Sequence, residues 1–154
     1  MTTAQKTKKF YSCPDTASVR EVPQPIQHQV NANRADQLDG RVAFYIMEEW
    51  YTLDSQEVIR SKVMEKPDVD GVIFFRLSQF YHSGKPNLEL MRFILKSGYE
   101  LHFSRERLAI CTEQALDELA SFILSCSYVD QRDRSREFIN SLIPMLDEAD
   151  RRKG

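Results

Sequence analysis

Short apolar runs that alternate with segments of helical period constrain this chain more than any other feature. Val72-Ile-Phe-Phe75, set off by the turn Asp68-Val-Asp-Gly71, is too short for a helix and rich in β-formers, which predicts a strand buried on both faces. Arg41-Val-Ala-Phe-Tyr-Ile46 predicts the strand before it, the first of the sheet, and Tyr99-Glu-Leu-His-Phe103 a third. Between the first two, Thr52-Leu-Asp-Ser-Gln56 offers a cap hydroxyl and an early carboxylate, followed by Val58, Ile59, Val63 and Met64 at helical spacing. Between the second and third, Asn87 to Ser97 reads as a helix stopped by Gly98. Strand, helix, strand, helix, strand implies parallel pairing through right-handed crossovers. Arg105 to Ile110 then returns the chain across the sheet edge. A long helical pattern runs from Thr112 to about Ala149 through Leu116, Leu119, Ile123, Phe138 and Leu142, with Pro144 in its path. The predicted fold is therefore a three-layer α/β domain over residues 40–149, with a short, mainly parallel sheet and a long C-terminal helix.

Composition settles what surrounds that domain. Residues 1–39 are rich in Thr, Gln, Asn, Pro and Lys and show no apolar period, so they are expected to be a disordered N-terminal arm, and residues 150–154 a tail. A hydrophobic fraction of 42% is enough for the remainder to bury a core. No apolar run approaches the roughly 20 residues a bilayer span needs. Lys6, Lys8 and Lys9 lack the apolar stretch of a secretory leader, so no membrane partner and a cytoplasmic location are expected. Cys13, Cys111 and Cys126 have no metal-ligand spacing. Cys111 and Cys126 are expected to be packed, inert thiols, and no cofactor or metal is indicated. A formal net charge of −2 confines any affinity for polyanions to local patches.

Two stretches carry a resemblance. Val42-Ala-Phe-Tyr45 leading to Leu53-Asp-Ser-Gln56, and Asp70-Gly-Val-Ile-Phe-Phe-Arg-Leu77 leading into Ser78-Gln-Phe-Tyr-His-Ser83, resemble the resolvase and invertase family, the serine recombinases. The likeness extends through Gly98-Tyr-Glu-Leu-His-Phe103 and the interval from Thr112 to Tyr128, covering roughly residues 41–140. In that family the first strand ends in Tyr-x-Arg-x-Ser and the second in Leu-Asp-Arg-Leu-x-Arg-Ser. The resemblance implies a resolvase-like fold and DNA cleavage through a phosphoserine linkage, with arginines neutralising the phosphoryl oxygens.

Placed on this sequence, the first motif has Met47 where the arginine belongs and Glu49 where the serine belongs. In the second, Ser78, Gln79 and His82 replace the aspartate and two arginines, while Leu77 and Ser83 remain. The resemblance thus implies a domain without its catalytic set, with Arg60 as a weak remnant. Arg132 and Arg136 fall where the family is basic and approaches DNA. A second reading of those two stays open, because Asp130, Asp133 and Glu137 alternate with Arg132, Arg134 and Arg136 as on a solvated, ion-paired helix. Ser55 and Ser78 are candidate displaced nucleophiles by position alone, and His82 and His102 read as structural.

Three functions follow as expectations. The first is a catalytically inactive recombinase-like domain that dimerises, with itself or with an active recombinase, and associates with DNA. The second is a protein-binding regulator that keeps only the fold. The third is an active strand-cleaving enzyme with displaced residues. The chain beyond the helix is too short for a separate DNA-reading domain, which argues against sequence-specific targeting by this chain alone.

Overall fold

The computed structural model describes residues 7–82 and 84–129. Its main sheet has five strands in the order β2-β1-β3-β6-β7, formed by β1 (Lys8–Cys13), β2 (Gly40–Tyr45), β3 (Gly71–Phe74), β6 (Glu100–Phe103) and β7 (Leu108–Ile110). All pairs are parallel except β6 with β7. Between β3 and β6, the two-residue strands β4 (Tyr81–His82) and β5 (Lys85–Pro86) make a small ladder of their own. Helices α1 (Gln24–Gln37), α2 (Glu57–Met64) and α3 (Leu88–Lys96) connect the strands, and α4 spans described residues 113–129. The fold is a mainly parallel, resolvase-like α/β domain with a long C-terminal helix. Among the described residues no helix is long and apolar enough to cross a membrane.

Strand alternation explains the three layers. Cα register aligns Tyr11 with Val72 and Leu101, and Cys13 with Phe74 and Phe103. These odd rows turn to one face, where they join Ile59 and Val63 of α2 and Leu90, Met91 and Ile94 of α3 in the main core. Phe74 and Phe103 stack there and Phe80 meets both edge to face, with ring centroids 4.7–5.6 Å apart. The alternate residues Phe10 and Ile73 face α1 and meet Ala35 in a smaller apolar cluster. Asn87 caps α3 by accepting from the Leu90 amide at 3.1 Å, and Gly98 ends it with a φ of +91°, a value that strains any other residue. Thr112 caps α4 through the Ala115 amide.

The expectation of a disordered arm over residues 1–39 is overturned for residues 7–39, the part of it that the structure describes. β1 is the strand between β2 and β3, and α1 packs on one face of β1, β2 and β3. Hydrophobic periodicity misses α1 because its buried stripe, Gln27, Asn31 and Ala35, is mostly polar. Asn31 donates to Ser12 Oγ (2.9 Å) and to the Ile73 carbonyl (3.3 Å), and accepts from Ser104 Oγ (2.7 Å). Hydrogen bonds replace apolar contact, so the helix docks without an apolar face.

The run Arg41–Ile46 is likewise not the first strand and is not buried on both faces. It forms the edge strand β2, where Phe44 and Tyr45 are exposed. Of the two thiols expected to be packed, Cys126 lies partly buried against the main core, whereas Cys111 is exposed.

Candidate functional site

The strand order places one special point. From β1 the chain crosses to β2 on one side and then, through α2, to β3 on the other, so the crevice beyond the carboxyl end of β1 is where a doubly wound sheet forms a site. The sequence there is Tyr11-Ser-Cys-Pro-Asp15. Its spacing is that of Tyr-x-Arg-x-Ser, with Cys13 in the arginine place and Asp15 in the serine place. Met47 and Glu49, assigned to those places from the sequence, lie apart from this point. Both lie on the loop after edge strand β2, Met47 half-buried and Glu49 exposed.

Asp15 is held from every side. Its Oδ2 accepts from Arg76 Nε at 2.6 Å and from Ser18 Oγ at 2.6 Å, and its Oδ1 accepts from the Ala17 amide at 3.1 Å. The two charged side chains are only 6% and 15% exposed, so the pair is largely desolvated. Gln27 of α1 clamps the backbone, accepting from the Asp15 amide at 2.6 Å and donating to its carbonyl at 3.1 Å. Gln79 donates to the Pro14 carbonyl at 3.1 Å and the Cys13 carbonyl at 3.2 Å. Of the three residues assigned to the second motif, Gln79 is the one the fold brings to this site.

Below Asp15 a cavity of about 20 Å³, lined by Cys13, Thr16, Glu48, Gln56 and Gln79 among others, has room for about one water. Glu48 is buried and already committed. Its carboxylate accepts from the Ile59 amide (2.9 Å), the Val58 amide (3.1 Å) and Thr52 Oγ1 (2.7 Å), capping the first turn of α2. Thr16 Oγ1 donates to the Glu48 carbonyl, tying the β1 loop to that cap. Cys13 is fully buried, and desolvation together with Glu48 and Asp15 pushes its thiol far above the ordinary range, so it stays protonated.

The other assigned residues lie elsewhere. His82 is exposed, with Nδ1 2.9 Å from Asp54 Oδ1. Ser55 is exposed, its hydroxyl donating to the Thr52 carbonyl at 3.4 Å. Ser78 Oγ is shielded from solvent and has no hydrogen-bond partner among the described residues. Arg60 reaches Glu89 (3.5 Å) and stacks over Phe93 on α3. Leu77 is buried in the core, whereas Ser83, Arg132 and Arg136 lie outside the described residues. Sequence reasoning missed Asp15, Arg76, Gln27 and Glu48, although the Tyr11–Cys13–Asp15 spacing could have found the first.

A second concavity of about 460 Å³ opens between the loop carrying Arg76 and Ser78 and helix α4, which contributes Phe122, Cys126 and Val129. Phe122, Leu124, Tyr128 and Val129 leave α4 with a largely exposed apolar surface.

No family model and no curated protein matches the chain. Among solved structures it is similar to the crystal structure of a resolvase family site-specific recombinase from Streptococcus pneumoniae, at 15% identity and a TM-score of 0.57. The likeness covers 94% of this chain and 99% of that one. At that identity the shared property is the fold.

Proposed function

We propose that this protein is a catalytically inactive, recombinase-like domain of the cytoplasm, acting in DNA recombination or its regulation by associating with a second copy or with an active recombinase. The observation that carries the reading is Asp15 at the carboxyl end of β1, in the serine place of the family pattern, with its charge already taken up by Arg76. A carboxylate there repels a phosphodiester, and a guanidinium spent on that carboxylate is not free to stabilise charge on a transferring phosphoryl group. Neither displaced serine replaces it, because Ser78 Oγ is shielded and Ser55 is hydrogen-bonded within its turn. The exposed apolar surface of α4 supports association through that helix, and Arg132 and Arg136, farther along the sequence, are the proposed DNA contacts.

The test is incubation with supercoiled DNA followed by a denaturing quench. No covalent protein–DNA adduct is expected, and a trapped adduct would overturn the reading. The same sample titrated against a random duplex at several salt concentrations separates the partners. Binding that weakens steeply with salt and on Arg132→Ala or Arg136→Ala supports the DNA role. No binding at low salt, with dimers by light scattering, favours the regulator that keeps only the fold.

A further inference from the structure

At the end of the sheet opposite Asp15, three side chains with metal-ligand chemistry meet on the α1 side. Glu100 and His102 are two apart on β6 and project to one face, and the antiparallel register Leu101↔Ile110 brings Cys111 across from Glu100. Glu100 Oε1 lies 3.4 Å from His102 Nε2 and 3.5 Å from Cys111 Sγ. One ligand atom from each of the three falls within 4.8 Å of the others. We propose that Glu100, His102 and Cys111 bind a thiophilic divalent cation of the zinc class, with water in the fourth position.

The separations carry the argument. Zinc bonds of about 2.0 Å to N or O and about 2.3 Å to S give tetrahedral edges of roughly 3.3 Å between N and O and roughly 3.5 Å between S and O. The two contacts to Glu100 already have those lengths, so the ion need only draw in the edge between His102 and Cys111. The donor set is soft sulfur, imidazole and a single carboxylate, which selects zinc or cobalt over magnesium or calcium. His102 is only 2% exposed and packs edge to face with Phe10, centroids 5.4 Å apart, so its ring plane is fixed before any ion arrives. Cys111 is exposed and gives the ion access from solvent. On binding, the Cys111 thiol releases its proton to water and the sulfur bonds as thiolate.

The competitor is Lys8, whose Nζ lies 3.1 Å and 3.2 Å from the two Glu100 oxygens. Its side chain is 47% exposed, and solvated ion pairs of this kind hold weakly, so it can swing into water when the cation enters.

The full-length, reduced protein is titrated with Co²⁺, and Zn²⁺ affinity is then measured against a chromophoric chelator. One equivalent of cobalt with a thiolate-to-cobalt charge-transfer band is expected. Cys111→Ser, an exposed position whose fold is checked by circular dichroism, removes the band and weakens zinc by at least about tenfold, the scale at which even supporting groups act. Cys126→Ser leaves both unchanged, and Lys8→Met tightens zinc severalfold by removing the competing ammonium. Absence of the band, its persistence in Cys111→Ser, or its loss in Cys126→Ser overturns the proposal.

Discussion

Replacing Asp15 or Arg76 singly and together tests whether the ion pair at the end of β1 holds the site as its geometry indicates. Asp15→Ala leaves a guanidinium 15% exposed without its partner, beside the groove against α4 that admits water. Breaking a buried pair from one side costs about 3–5 kcal/mol, and access to the groove puts this variant near 3 kcal/mol. For a chain of this size that corresponds to a fall in Tm of roughly 6–12 °C. Arg76→Met leaves a carboxylate only 6% exposed, supported by Ser18 and the Ala17 amide alone, and should cost at least as much. The double variant removes both charges, so it should be less destabilised than the sum of the singles by about 2 kcal/mol. Urea unfolding of the four proteins reads this directly, with m unchanged if the denatured states are alike. Additivity within about 0.5 kcal/mol would show that the two groups do not stabilise each other, and the account of Arg76 as a spent cation would fail with it. Asp15→Ser sets a hydroxyl at that place but frees only one guanidinium, and it should still give no covalent adduct with supercoiled DNA.

Three further outcomes follow from the same contacts. Glu48→Ala uncaps the first turn of α2 and should cost about 2 kcal/mol, seen as a lower urea midpoint and faster amide exchange at Val58 and Ile59; unchanged exchange there would sink the capping role. Asn31→Leu adds apolar surface yet leaves the Ser104 hydroxyl without its acceptor and takes a donor from Ser12 Oγ and the Ile73 carbonyl, so thermal melting should show a loss of about 2 kcal/mol rather than a gain. Burial pushes His28 and His102 below the ordinary imidazole value, so the unfolded chain takes up protons first as the solution is acidified. Their contribution is complete above about pH 6.5 and is lost as pH falls toward the depressed folded values. Melting in chelator should therefore show a Tm that declines from about pH 7 to about pH 5, and a flat or rising Tm would contradict it.

What the sequence disclosed depended on where apolar contact does the folding. β3, α3 and β6 bury apolar rows or stripes, and each was legible within a residue or two, as were the helix start near Thr112 and the stop at Gly98. Residues 7–39 hide the same order behind different chemistry. α1 docks through Gln27 and Asn31, whose amides satisfy the backbone of the Asp15 loop and the hydroxyls of Ser12 and Ser104. β1 is one short run between two lysines and Pro14, in a stretch whose composition reads as loop. With β1 unseen, the most apolar remaining run, Arg41–Ile46, took its place and carried the motif to the loop after β2. Both runs hold a tyrosine near the end of a parallel strand, so spacing alone does not separate them. Topology does, because only β1 has neighbours on both sides and a crossover in each direction. A site at a switch point needs both flanking strands, and edge strand β2 has only one, so the crevice of this sheet opens beside Asp15 and not beside Glu49.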